Sequence, residues 1–314
     1  MTRKGWLLFT AISVFWGIPY LFIKIVVREL DPTVVVFARV GIATAVLVPI
    51  AVLHKMLQPL CRRWLVITAL SLIQITGPFL LISYGELHIA SSFTSLLIAT
   101  EPLLVALFAW HFDHSEQVGG MRLIGLLIGI LGVVMLLGFN ISGDEQKLLG
   151  AAFVLLAAAG YAVGALFIKR PIIATLPPLG VVAAECAIAT IVLAPIAVTR
   201  LPKQIPNLET LVSLLVLGLI CTALAYLTLF ALIAEVGASR GIVFTYINPA
   251  VSVLLGVTFL SESFNIAMMA GFLLIIIGSC MSTSNILLLL VPLVRTRFQR
   301  QANRDIGTIH RDVP

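Results

Sequence analysis

The sequence predicts an all-α membrane protein: ten transmembrane helices, arranged as two inverted five-helix repeats around a central cavity. Three observations carry this. Of the 314 residues, 60% are hydrophobic and 11% charged, whereas soluble domains carry about 25% charged residues. Apolar runs of about 20 residues, each long enough to cross ~30 Å of hydrocarbon, recur along the whole chain. The features of the first half also return in the second, with the register drifting by only one or two residues.

In chain order the spans are expected at 5–27, 33–53, 64–84, 92–112, 121–139, 149–169, 179–198, 209–233, 239–260 and 267–291. The first is too long for a signal peptide and is followed by no small-residue cleavage site, so it counts as a retained helix. Between spans lie short segments rich in helix breakers, such as Asp31-Pro32, Gln58-Pro59, Ser142-Gly143-Asp144, Pro177-Pro178 and Leu201-Pro202. They leave no room for an extramembrane domain. The organisation is therefore a first repeat over 1–140, a linker over 141–148, a second repeat over 149–291 and a basic tail over 292–314.

Loop charges set the orientation. With the amino terminus in the cytoplasm, the inner segments hold fourteen Lys and Arg and the outer segments hold four. That asymmetry places both termini in the cytoplasm, and the membrane is expected to be a bacterial inner (plasma) membrane. The net charge of +6 thus sits in topology signals rather than on a nucleic-acid-binding face. Cys61, Cys186, Cys221 and Cys280 are scattered, form no CxxC and read as small core or lipid-facing residues.

The repeat is explicit in the residues. Leu21-Phe22-Ile23-Lys24 returns as Leu166-Phe167-Ile168-Lys169, and Pro49-Ile50-Ala51-Val52 as Pro195-Ile196-Ala197-Val198. The stretch from Ala38 to Thr44 runs alongside Ala184 to Thr190, Glu101-Pro102 matches Asn248-Pro249, and Ser115-Glu116 matches Ser261-Glu262. An odd number of spans per copy forces the second copy to enter from the opposite side, and inverted repeats of this kind characterise transporters, with the site at the repeat interface.

Within that frame Glu101 is the central candidate. A carboxylate near mid-membrane costs roughly 2.5–3.5 kcal/mol on the lenient insertion scale and reads as functional by default. Pro102 removes an N–H and disfavours helical geometry before it, so an acid and a broken backbone coincide. The plainer alternative is a kink with a protonated acid bonded to a neighbouring helix. Further helix breaks or hinges are expected at Pro19, Pro78 and Pro249. Aromatic side chains with polar handles suit an organic amine or ring. Trp16, Tyr20, Tyr161 and Tyr246 are therefore placed at the cavity, together with Gln74, Thr222 and Asn248.

Four buried charges remain. Lys24 and Lys169 are expected to snorkel to opposite faces. Arg39 and Glu185 lie each about six residues into their helices, entering from opposite sides, so they are roughly 9 Å deep and not expected to pair. Each binds a helix end or lines the cavity mouth on its own side. The run His111-Phe112-Asp113-His114 offers His and Asp side chains but is absent from the second copy, so no metal is assigned. Gly125-Leu126-Leu127-Ile128-Gly129, with Gly132 one turn on, permits close helix approach within the fold or between subunits.

The paired LFIK endings, the EP and NP prolines and Phe259-Leu260-Ser261-Glu262 together resemble the drug/metabolite transporter superfamily, EamA type, over residues 5 to 290. The likeness implies a ten-helix basket with a central cavity, spans five and ten standing at its periphery, and export of amino acids or other small metabolites. In the first copy the family's Leu-Gly-Glu ending is replaced by Ala109-Trp110-His111-Phe112-Asp113-His114-Ser115-Glu116. The expected function is a secondary transporter of small organic metabolites, foremost amino acids including aromatic ones, with no catalytic residues and no cofactor. Its partners are the small-molecule substrate and the bilayer, as a monomer or homo-oligomer. The alternative is a phosphorylated-solute antiporter holding phosphate with Lys24, Arg39 and Lys169. A membrane-embedded enzyme is a more distant alternative.

Overall fold

The computed structural model describes residues 2–112, 120–141, 144–237 and 242–282, and among these every regular element is helical. Eight helices are long and apolar enough to cross a membrane: Arg3–Val26, Pro32–Leu53, Gln58–Gly85, Ser91–Ala109, Met121–Gly138, Glu145–Ile168, Pro178–Thr199 and Leu208–Val236. Two shorter apolar helices, Phe244–Leu260 and Ile266–Ser282, follow. The protein is thus a multi-pass membrane protein; the third span starts earlier than the expected 64, and the last two described helices, Phe244–Leu260 and Ile266–Ser282, are shorter than the expected 239–260 and 267–291. The Ser115-Glu116 motif, Asp113-His114 and the tail over 292–314 lie outside the described residues.

The first span is interrupted. Helix α1 (Arg3–Phe15) ends at Trp16, and α2 (Pro19–Val26) begins on a proline. Pro19 has no N–H to donate, and at the first turn of a new helix none is needed. Helix α3 (Pro32–Leu53) is capped by the Asp31 carboxylate, which accepts from Thr33 N at 2.8 Å. The third span joins α4 (Trp64–Ser71) and α5 (Gly77–Gly85) through a widened π turn at Leu72–Thr76. Pro78, expected as an open break, does not open the helix. The ladder widens one turn earlier, where Gly77 N donates to Leu72 O, and the proline is absorbed there.

The fourth span is split into α6 (Ser91–Ile98) and α7 (Glu101–Phe112), with Ala99 and Thr100 between them. Helix α8 (Met121–Ile141) closes the first half of the chain. The second half carries α9 (Glu145–Ile168), the short α10 (Pro171–Ala174), α11 (Pro178–Thr199), α12 (Leu208–Leu215), α13 (Ala225–Val236), α14 (Asn248–Leu260) and α15 (Ile266–Ser282). A second π turn, Val216–Leu224, joins α12 to α13.

Packing pairs the two halves. Helix α8 lies along α15, α3 along α11, α5 along α9, α1 along α13 and α6 along α14. In the α8–α15 crossing a Cβ at Gly125 would stand 2.8 Å from the Gly278 carbonyl oxygen, and one at Gly132 would stand 2.7 Å from that of Gly271. Only glycine permits this approach, so the glycine motif serves contact within one chain. Where α3 meets α11, the hydroxyls of Thr44 and Thr190 lie 3.2 Å apart. These two threonines occupy matching positions in the sequence repeat. Large apolar side chains such as Leu127, Leu131 and Val134 on α8 and Ile191 and Ile196 on α11 stay exposed, forming the surface offered to lipid.

Candidate functional site

Between the halves lies a cavity of about 590 Å³, within the ~300–1,000 Å³ typical of small-molecule sites. Part of its polar lining comes from the interrupted helices. Glu101 is the first residue of α7, followed by Pro102, and its half-buried side chain lines the cavity. A carboxylate in the first helical turn is favoured by the helix dipole. Asn248 and Pro249 occupy the same place at the start of α14 and also line the cavity. The Asn248 amide, with its NH2 group directed at the backbone, donates to Ser13 O at 3.1 Å and Phe244 O at 3.0 Å. It ties the end of α1 to the turn before α14.

Of the residues assigned to the cavity from sequence, Trp16, Tyr20, Gln74, Tyr161 and Tyr246 line it, and Pro19, assigned as a hinge, lines it too. Trp16 packs edge-on against Tyr226 at 5.5 Å and Phe244 at 5.3 Å between ring centroids. Gln74 sits in the first π turn against Gly164, and its amide oxygen has no hydrogen-bond partner. One position assigned to the cavity does not line it. Thr222 is fully buried behind the wall, where its hydroxyl accepts from Arg39 Nε at 2.9 Å and donates to Leu217 O at 2.8 Å. Pro78, assigned as a hinge and not to the cavity, packs toward Gly160.

The charged residues are redistributed more strongly. Arg39 and Glu185 line the same cavity rather than separate mouths, 6% and 1% exposed, and no ion pair joins them. Lys24 does not snorkel. Its ammonium donates to Glu86 O at 2.5 Å and to Ile89 O at 2.8 Å, where the end of α5 turns toward α6. Lys169 is exposed at the cavity mouth. The three cations that would hold a phosphate therefore do not meet.

Sequence reasoning missed Phe79 and Phe244 in the cavity wall and left Tyr226, an aromatic with a polar handle on the eighth span, unassigned. Phe79 follows Gly77-Pro78, which was itself singled out. Tyr226 follows the Thr222 turn by one helical turn. Glu86 was also missed: it is 0% exposed and neither carboxylate oxygen has a hydrogen-bond partner. It lies just past the end of the third expected span, 64–84, where no site residue was sought.

The cavity is one-sided. It reaches the surface at Ile168, Lys169, Ala174 and Pro178, all exposed. This face also carries the chain's start, where Thr2 and Lys4 meet Glu235 at 2.7 and 3.4 Å. At the opposite end the lining residues Ile23, Ile82 and Ser95 are buried. Beyond them the halves are joined by several contacts. Glu262 accepts from Ser91 N and Ser92 N at 2.8 and 2.9 Å. Arg200 pairs with Asp31 at 3.1 Å and donates to Tyr84 Oη at 2.9 Å. Glu29 accepts from Thr210 Oγ1 and Asn207 N.

A helical membrane protein that holds a solute-sized, partly polar chamber shut at one face and open at the other has the build of a transporter. The chain belongs to the EamA-like transporter family, whose model matches residues 3–138 and, a second time, 148–284. An uncharacterized transporter of Archaeoglobus fulgidus is 25% identical over 88% of this chain and 97% of its own. The Bacillus subtilis transporter YvbV, also uncharacterized, is 24% identical over 88% and 90%. The uncharacterized inner membrane transporter YedA of Escherichia coli K12 is 25% identical over 78% and 79%. A crystal structure with a TM-score of 0.64 and 20% identity covers 90% of this chain and 98% of its own, a likeness of fold alone.

Proposed function

We propose that this transporter moves small organic metabolites, foremost amino acids including aromatic ones, by alternating access, and works as an exporter. Its architecture is ten spans in two inverted halves, 1–140 and 149–291, with both termini in the cytoplasm. The double match of one family model and the matched helix pairs support the inverted repeat. The observation that carries the functional reading is the one-sided cavity with Glu101 at a helix break in its wall. In the state described, the chamber faces the chain's amino-terminal side, and transport requires the Lys24 end to part while the Lys169 end closes.

Glu101 receives the substrate ammonium or exchanges a proton as substrate binds and leaves. The phosphate alternative loses ground because Lys24 is committed to two backbone carbonyls away from the chamber. In proteoliposomes, preloaded unlabelled amino acid is expected to accelerate uptake of the labelled form. Glu101→Gln is expected to lower that counterflow at least about tenfold, the effect of ~1.4 kcal/mol of lost binding. A variant that keeps both rate and pH dependence removes Glu101 from either role.

A further inference from the structure

Among the described residues, one cation is built into the deep wall of the cavity in a way that packing does not account for. Arg39 lies on α3 and is 6% exposed. Its Nε donates to Thr222 Oγ1 at 2.9 Å, and its Cζ stands 3.9 Å from the centre of the Phe79 ring. The Thr222 hydroxyl is itself fixed by donating to Leu217 O across the second π turn. One edge and one face of the guanidinium are thus held. The two terminal NH2 groups have no acceptor among the described residues.

An arginine placed in an apolar wall with its fork unmatched is costly unless something completes it. The carboxyl groups nearby do not. Glu101 and Glu185 line the same chamber without pairing with Arg39, and Glu86, also within electrostatic range, supplies no acceptor to it. Tyr20 and Tyr161 line the same chamber as Arg39 and Glu101, so the two opposite charges share an aromatic-walled cavity. We infer that Arg39 is the carboxylate anchor of a zwitterion site, its two free NH2 groups holding the carboxylate of an α-amino acid whose ammonium faces Glu101.

This deepens the amino-acid reading above and rests on it. The charges in the chamber select among substrates. A guanidinium fork matches a carboxylate with two parallel bonds. A simple amine leaves Arg39 unmatched, and a dianionic phosphate meets two carboxyl groups for one arginine. A zwitterion answers both signs at once. The aromatic lining then takes an apolar side chain.

The test uses the full-length protein in proteoliposomes with three probes: phenylalanine, phenethylamine, which lacks the carboxylate, and 3-phenylpropanoate, which lacks the ammonium. Wild-type protein is expected to prefer phenylalanine over phenethylamine at least about tenfold. Arg39→Gln is expected to erase that preference by losing phenylalanine transport while keeping the amine. Arg39→Lys, which retains charge but not the fork, and Thr222→Val, which unties Nε, are expected to fall between. An unchanged preference in Arg39→Gln overturns the inference. So does loss of both substrates in Arg39→Gln accompanied by wild-type preference in the other two variants. Thermal stabilisation by 3-phenylpropanoate separates the two readings: wild-type protein that moves neither phenylalanine nor phenethylamine refutes the amino-acid function. An Arg39-dependent shift with this acid still supports the anchor, and a shift that is absent or survives Arg39→Gln refutes it.

Discussion

Lys24 and Lys169 close the same four-residue sequence, LFIK, in the two halves of the chain, yet their surroundings are opposite. Lys24 is half-buried and donates to the carbonyls of Glu86 and Ile89. Lys169 is exposed at the cavity mouth with no hydrogen bond or ion pair among the described residues. Equivalent sequence in unequivalent contact is what the proposed alternating-access reading requires of one of its two states. The difference lies in packing and not in composition.

The comparison can be broken most forcefully at Lys24. Hydrogen bonds from a charged donor contribute about 1.5–3 kcal/mol each, and ~1.4 kcal/mol is a factor of ten. Lys24→Gln is therefore expected to shift the population toward opening of the closed end at least about tenfold. The measurement is alkylation of a Ser95→Cys reporter, in a background without the four native cysteines, by impermeant maleimide added from the Lys24 face. Unchanged labelling would mean that Lys24 does not hold this end shut.

A smaller effect is expected at Glu262, whose carboxylate caps α6 through Ser91 N and Ser92 N. Glu262→Gln keeps one acceptor and loses the charge that favours a helix start, about 0.3–1 kcal/mol. The same reporter should then label only a few times faster. Arg200→Ala removes an exposed pair with Asp31 and is expected to change labelling least among the closed-end variants. Lys169→Gln should leave reporter labelling from the Lys24 face at the wild-type level. If it instead matched Lys24→Gln, the two ends would not differ as described.

Much of this was legible in the sequence because the signals were local. Apolar runs gave the spans, and Glu101-Pro102 and Asn248-Pro249 marked the two helix starts that enter the chamber. What escaped depends on contacts between distant segments. Thr222 looked like a cavity residue, but Arg39, 183 positions away, claims its hydroxyl. The π turn at Val216–Leu224 contains no proline and so carries no breaker signal. Lys24 was expected to reach for water because depth was counted along one helix. The segment after α5 folds over it and offers carbonyls sooner. Counting residues from a span end likewise placed Arg39 and Glu185 at different depths, whereas the chamber spans both.

The glycine crossing of α8 and α15 has a further consequence. Gly125 meets Gly278 as Gly132 meets Gly271, so the seam reads alike from either helix, in the manner of a twofold contact between identical subunits. A polypeptide comprising one half alone would carry a surface complementary to its own copy. Duplication and fusion of such a self-pairing unit would leave a seam of this kind, and the covalent link would then let the two identical LFIK lysines take different contacts.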